Sequence, residues 1–339
     1  MYMVFDIGGS SVKYAILDRS GNIYIKDKFP TPKSSLDLLL FGMFDVIDRY
    51  DEHEIKGISI CCPGVVDSYQ GIVYYGGCLT YLHEVCLKEI LIGRYNIPVS
   101  IENDGKAAAL AELWRGGVNE SKHAVVMVLG SAIGGGIIID GKLHRGQNFS
   151  AGEVSYMIGD PIENQDLVYK MCGFDASAPK MVSEIAELNG LSPDADGEMV
   201  FKYINEQNEE SWRVFCEYCR KIARMIISLQ YVLDPERFII CGGVSNQRIV
   251  RDQIMNEVKR IYQANSMYLL LPVIENSKLN NDANLYGALY HFLEEYVVNA
   301  EEYEQYHEVH CPNCRFDLTH SEIFHLSKGE LQEQLRGSL

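Results

Sequence analysis

Ile101-Glu102-Asn103-Asp104-Gly105-Lys106 is the stretch on which the reading of this chain turns. Glycine-rich segments stand on either side of it: Asp6-Ile7-Gly8-Gly9-Ser10-Ser11 before, Leu129-Gly130-Ser131-Ala132-Ile133-Gly134-Gly135-Gly136 after. A glycine turn lets backbone N–H groups close on phosphate oxygens, because no Cβ blocks the approach. A carboxylate delivered at a strand end can take a proton from an attacking hydroxyl. These pieces suit phosphoryl transfer from a nucleotide to an alcohol, which is catalysed mostly by positioning and charge stabilisation. The expectation is a kinase for a small hydroxylated substrate.

Outward from that stretch, Tyr2–Phe5, Ser11–Leu17 and Asn22–Phe29 read as a β-meander, and Leu36–Tyr50 has helical spacing. Ile55–Cys61 reads as a strand ending at the turn signal Pro63-Gly64. A helix over His83–Tyr95, a strand Val99–Ile101 and an alanine-rich helix Lys106–Trp114 follow. The pattern then restarts: strand His123–Leu129, a glycine turn running to Gly136, strand Gly136–Asp140, and a hairpin-type Asp140-Gly141. Beyond it come a long amphipathic helix Glu209–Leu233, a strand Arg237–Cys241, a Gly242-Gly243 turn, and helices Asn246–Asn265 and Ala283–Val298. Two units that each open with strand, glycine turn, strand predict a duplicated α/β architecture. The expected boundary is near Gly116-Gly117-Val118, giving domains 1–117 and 118–284. The helix at about 285–298 would close the first domain, and 300–339 reads as an appendage.

The totals narrow the function classes. With 30 basic and 47 acidic residues among 339, the formal charge is −17, so neither nucleic acid nor an anionic membrane is an expected partner. Hydrophobic and charged contents of 47% and 23% are those of a soluble globular protein. No apolar run approaches the ~20 residues a membrane span needs, and no signal peptide is expected. The ten cysteines are scattered, several in apolar strands (Cys61, Cys62, Cys241), which fits reduced thiols in the cytoplasm.

Each motif also has a plainer reading. Asp6 to Ser10 is strand–turn–strand, neither a P-loop nor a dinucleotide fingerprint. Asp6 could hold Mg²⁺ or its waters, Gly8, Gly9 and Ser10 could donate to phosphate, and Lys13 could reach the same oxygens. A tight hairpin explains the same residues. Gly130–Gly136 reads as a phosphate turn or a bulged corner. Asp104 is a candidate general base or a helix N-cap. Glu102 and Asn103 add the carboxylate and amide that a sugar site wants. Pro63-Gly64 is a substrate-loop wall or a turn, and Glu153 a further carboxylate or an exposed loop residue.

Taken together, the motifs resemble those of the ROK family of sugar kinases and repressors, in the actin-like ATPase superfamily, over about residues 1–298. The resemblance implies two actin-like (RNase H-like) domains with an interdomain cleft, ATP and Mg²⁺ as cofactors, a hexose 6-hydroxyl as acceptor, and a homodimer. It makes Asp6–Ser10 the first phosphate motif and Leu129–Gly136, with Gly130, Ser131, Gly134 and Gly135, the second. Asp234-Pro235-Glu236 followed by Cys241–Ser245, with Gly242, Gly243 and Val244, becomes the adenosine motif. Asp104 is then the base, with Pro63, Gly64, Asn103 and Glu153 around the sugar. In many members the segment here reading Gly152-Glu153-Val154-Ser155-Tyr156-Met157 carries a histidine where Tyr156 stands, and a cysteine cluster of which Cys172-Gly173 is the remnant. The chain is therefore similar to a zinc-less branch of glucokinases, N-acylmannosamine kinases and β-glucoside kinases, with Tyr156 facing the sugar. In the tail, Cys311-Pro312-Asn313-Cys314 has CxxC spacing with histidines nearby, open as a zinc knuckle or as an unliganded tail. A non-catalytic sugar sensor and an ATPase acting on protein partners are the competing classes.

Overall fold

The computed structural model describes residues 1–50, 54–162, 169–265, 270–279 and 282–298; the candidate tail ligands Cys311 and Cys314 lie outside them. The chain divides into two compact units. Of the described residues, unit 1 holds those within Met1–Ala111, Gln147–Phe149 and 284–298; unit 2 holds those within Glu112–Gly146 and Ser150–Ala283.

Unit 1 begins with β1 (Tyr2–Ile7), β2 (Ser11–Leu17) and β3 (Ile23–Pro30), then α1 (Leu36–Arg49) and β4 (Ile58–Cys62). Strands β5 (Val65–Asp67), β6 (Ile72–Tyr74) and β7 (Val85–Cys86) form a small sheet of their own. Helix α2 (Leu87–Tyr95), strand β8 (Val99–Asn103) and helix α3 (Asp104–Arg115) follow. Among the described residues the main sheet has the order β3-β2-β1-β4-β8, with β1, β4 and β8 parallel. Helix α1 covers it because Leu39, Leu40, Met43, Phe44, Val46 and Ile47 recur at helical spacing and are all buried. Each such side chain contributes about 1.5–3 kcal/mol on burial. The Ser35 side chain caps α1 by accepting from Leu38 N–H.

Unit 2 repeats the plan with β9 (Ala124–Leu129), β10 (Ile133–Ile139) and β11 (Lys142–His144). The hairpin β12 (Ile158–Pro161) and β13 (Tyr169–Met171) leads to α4 (Cys172–Asp175), α5 (Ala178–Leu188), α6 (Gly197–Asn205) and α7 (Glu209–Leu233). Strand β14 (Arg237–Cys241), α8 (Arg248–Ala264) and β15 (Ile274–Asn276) complete it. Its sheet order, β11-β10-β9-β14-β15, matches that of unit 1, with β9, β14 and β15 parallel. Helix α9 (Ala283–Leu293) begins at the unit boundary and continues as a π-helical turn, Glu294–Val298.

Two expectations need correction. The helix expected from His83 starts at Leu87, because Glu84 is left-handed (φ 60°) and Val85–Cys86 pair with Ile72–Val73 as β7. The glycine turn expected to run to Gly136 stops at Ala132, since Ile133–Ile139 is a strand paired with β9. A Cβ on Gly135 would stand 2.7 Å from the Gly152 carbonyl. Glycine is needed there for backbone packing inside the sheet.

Candidate active site

Strand register assembles the first half of the site. Asp6 pairs with Lys13 on β2 and with Cys61 on β4, and Cys61 pairs with Glu102 on β8. Directly paired residues share a sheet face, so Lys13, Asp6, Cys61 and Glu102 form one row. Asp6 is buried; its Oδ2 accepts from Lys13 Nζ at 3.2 Å, and its Oδ1 from Asn284 Nδ2 at 3.1 Å and the Cys61 thiol at 3.5 Å. Burial, then the charges of Asp6 and Asp104, push the Cys61 thiol well above its ordinary value. Burial, then Asp104 and Glu102, does the same to Cys62. Both thiols stay protonated, and Cys61 serves Asp6 as a donor.

The turn after β1 is closed by Gly8 N–H to Ser11 C=O at 3.1 Å and tied down by Thr31 Oγ1, which donates to Gly8 C=O at 2.6 Å. Lys33 donates to the Gly9 carbonyl. Gly8, Gly9 and Ser10 are therefore held in a fixed loop beside the row.

At the end of β8, Asn103 and not Asp104 caps α3. Its Oδ1 accepts Lys106 N–H at 3.0 Å, while its Nδ2 donates to Gly64 C=O at 2.8 Å and to Asp104 Oδ1 at 3.2 Å. Asp104 is the first helical residue, its Oδ1 also taking Gly105 N–H at 2.8 Å. A helix N-terminus favours a negative charge there. The N-cap alternative for Asp104 is thus overturned, and its carboxylate is oriented by a neighbour that does the capping. Asn103 commits both amide hydrogens and one acceptor site to this framework, leaving one Oδ1 lone pair for a ligand. Gly64 follows Pro63 with φ +107°, and a Cβ would lie 2.8 Å from Gly76 Cα, so the loop that receives Asn103 requires glycine.

In unit 2 the ends of parallel β9 and β14 lie side by side, with Cys241 paired to Val128. Gly130 N–H donates to Ala132 C=O at 3.0 Å, and Ser131 is exposed. Gly242 (φ +101°) has no room for a Cβ beside the Leu129 backbone, so the Gly242–Val244 loop sits directly against the end of β9. Asn276 braces that loop by donating to Ser245 C=O at 2.9 Å. Gly130, Ser131, Gly242, Gly243 and Val244 are thus gathered at the carboxyl ends of parallel strands, where open α/β sheets bind ligands. Gly134 and Gly135 instead lie within β10. Glu153 and Tyr156 belong to one 3₁₀ turn, with Tyr156 N–H donating to Glu153 C=O at 3.1 Å.

Sequence reasoning missed Asn284 and Cys61 as partners of Asp6. Neither carries a local signal, and Asn284 is 278 positions from the carboxylate it holds.

Two sheets of one strand order, one with carboxylates and the other with glycine turns at its strand ends, define a duplicated α/β protein. The chain belongs to the ROK family, whose sequence profile matches residues 2–295. It is 30% identical over 295 residues to a β-glucoside kinase of Listeria monocytogenes, covering 86% of this chain and 97% of the relative. A ROK family protein from Streptococcus pneumoniae, solved in complex with sucrose, superposes with a TM-score of 0.75 at 30% identity, covering 87% of this chain and 99% of the other. A ROK glucokinase from Streptomyces griseus, solved with glucose and AMPPNP, shares the fold with a TM-score of 0.69 at 22% identity, covering 85% and 97%.

Proposed function

We propose that this chain transfers the γ-phosphoryl group of ATP to the 6-hydroxyl of a hexose or hexose derivative, with Asp104 as general base. That it is a sugar kinase rests on kinase relatives about as similar as the Listeria enzyme, which it matches over nearly their whole length. The observation that carries the finer reading is the capping of α3 by Asn103, whose Nδ2 also donates to Asp104 Oδ1 at 3.2 Å and so sets the direction of that carboxylate at the helix start. In the reaction Asp104 takes the hydroxyl proton as the sugar oxygen bonds to the γ-phosphorus and the bond to ADP breaks in line. Backbone donors at Gly8–Ser10 and Gly130–Ser131 bind phosphate oxygens, Gly242–Val244 holds the adenosine, and Lys13 moves from Asp6 to a phosphate. Glu153 accepts hydrogen bonds from sugar hydroxyls, beside Tyr156, and Pro63-Gly64 supports Asn103.

Mg²⁺, when bound with ATP, supplies charge neutralisation on the phosphates. Both Asp6 oxygens already accept protein donors, which fits a carboxylate holding the ion through water, as Mg²⁺ commonly allows. Among the described residues no group of three or more His, Cys, Asp or Glu could hold a metal ion. A zinc on Cys311 and Cys314 remains a proposal for the tail alone. Among the described residues no helix is long and apolar enough to cross a membrane. The same reading places the protein in the cytoplasm as a homodimer.

A coupled ADP-release assay with Mg-ATP against glucose, mannose, N-acetylmannosamine, N-acetylglucosamine and cellobiose tests the reading. Turnover that produces a 6-phosphate is expected; bound ATP with silence across the panel would leave a sugar sensor.

A further inference from the structure

Within unit 2, a groove of about 100 Å³ runs between α5 and α7. Buried Tyr218 contributes to its floor, and charged side chains form its lips: Lys180 and Glu184 on α5, Arg213 and Lys221 on α7. That space takes a few waters or one small tetrahedral anion. Neither Gly130, Ser131 nor Gly242–Val244 lines it, so it is separate from the loops assigned above to ATP.

Tyr218 is 4% exposed, and its hydroxyl has no hydrogen-bond partner among the described residues. A buried hydroxyl left unpaired costs free energy that a phenylalanine at the same place would not. Burial, then the neighbouring Cys219, raises the phenol well above its ordinary value. It therefore stays protonated and able to donate.

The charges are uneven along the groove. At the end where α5 starts, Lys180 Nζ and Lys221 Nζ meet a single carboxylate, Asp175, at 3.8 and 2.8 Å. Two cations on one anion leave a net positive charge, and the helix start adds the positive end of its dipole. One turn further along α5, Glu184 offsets Arg213, while Glu217 is paired with Arg220 at 2.6 Å. The first amides of α5 are already used: Ala178 N–H donates to Gly130 C=O at 3.0 Å, Pro179 has none, and Lys180 N–H donates to Ser177 Oγ at 3.4 Å. Side chains must therefore do the binding. We infer that the groove is a site for a phosphate group, free or as a monoester, held by Lys180 and Lys221 with the Tyr218 hydroxyl as a third donor. Asp175 keeps the two ammonium groups together. The site stands whether or not the chain phosphorylates a sugar.

Isothermal titration calorimetry tests the site, with saturating Mg-AMPPNP present to fill the glycine turns and ionic strength held constant. Inorganic phosphate and glycerol 3-phosphate are titrated into wild type, Tyr218→Phe and Lys180→Met. Wild type should bind phosphate, and each variant should bind it about tenfold more weakly, the worth of one hydrogen bond to a charged group. Tighter binding of glycerol 3-phosphate would name a monoester as the occupant, and equal or weaker binding the free ion. Without phosphate, Tyr218→Phe should melt no lower than wild type, since the ring stays and only an unpaired hydroxyl is lost. No heat in wild type, binding seen only when AMPPNP is left out, or unchanged affinity in either variant would each overturn the assignment. So would a lower melting temperature of Tyr218→Phe, which would show the hydroxyl already partnered.

Discussion

The two sheets share one strand order, yet their carboxyl ends are furnished differently. In unit 1, β1, β4 and β8 carry Asp6, Cys61-Cys62 and Glu102-Asn103 near their carboxyl ends, a buried row set by register in which the Cys61 thiol donates to Asp6. In unit 2, β9 and β14 lead into Gly130 and Gly242, whose loops are held by backbone bonds and by Ser245 and Asn276 side chains that donate to backbone carbonyls. Both plans put a left-handed glycine after the second parallel strand, Gly64 at φ +107° and Gly242 at φ +101°. The shared topology supplies two sets of strand ends, and composition decides their chemistry. Carboxylates, found at the strand ends of unit 1, suit proton removal; the bare amides that suit phosphate occur in both units, at Gly8–Ser10 and at Gly130–Ser131.

The sharpest way to break this contrast is at Asp104. Asp104→Asn should lower kcat by roughly 10²–10⁴-fold, the usual worth of a positioned base, with fold and sugar affinity retained. Near-normal turnover in the ADP-release assay would remove the chemistry assigned to unit 1. Next come the paired glycines. Gly64→Ala and Gly242→Ala should each lower stability by about 1–3 kcal/mol in thermal or urea unfolding, because each forces a strained backbone. Their kinetic effects should separate, with Gly64→Ala reducing kcat through Asn103 and Gly242→Ala raising KM for ATP. Identical kinetic profiles would erase the distinction between the two ends.

Lys13 offers a smaller effect. Its side chain is 38% exposed, so its pair with Asp6 adds little stability, and Lys13→Met should shift unfolding by less than about 1 kcal/mol. KM for ATP should nevertheless rise about tenfold, equivalent to the loss of one charge-assisted hydrogen bond. An unchanged KM would make Lys13 a purely structural partner of Asp6. The smallest effect is at Asp160, where hydrogen bonds from Arg224, then its charge, hold the carboxyl below its ordinary value. A depressed carboxyl adds stability above its unfolded value near ~3.9, and that stability is lost as pH falls through the lower folded value. Both side chains are about half exposed, so Asp160→Asn should remove under about 1 kcal/mol at pH 7 and nothing well below pH 3. Melting curves at both pH values check the sign.

Much of the fold was legible residue by residue. The expected spans Ser11–Leu17, Glu209–Leu233 and Arg237–Cys241 coincide with β2, α7 and β14. Gly134–Gly136 misled because a glycine run marks a turn and a close backbone approach in the same letters, and here the approach of Gly152 prevails. His83–Cys86 misled because pairing with β6 outweighed local helical spacing. At the candidate site, Asp104 stood out by its position after a strand. That Asn103 caps the helix depends on which of two adjacent side chains turns back toward Lys106 N–H, and both residue types cap well.

By itself, the sequence determined the alternation of strands and helices, the glycine turns and the carboxylate at the end of β8, because apolar period and glycine's backbone freedom act over a few residues. Only the tertiary structure decided the row Lys13–Asp6–Cys61–Glu102, the hold of Asn284 on Asp6, and the meeting of Lys180 and Lys221 on Asp175. Register and packing join residues far apart in the chain, and no residue's type announces its partner.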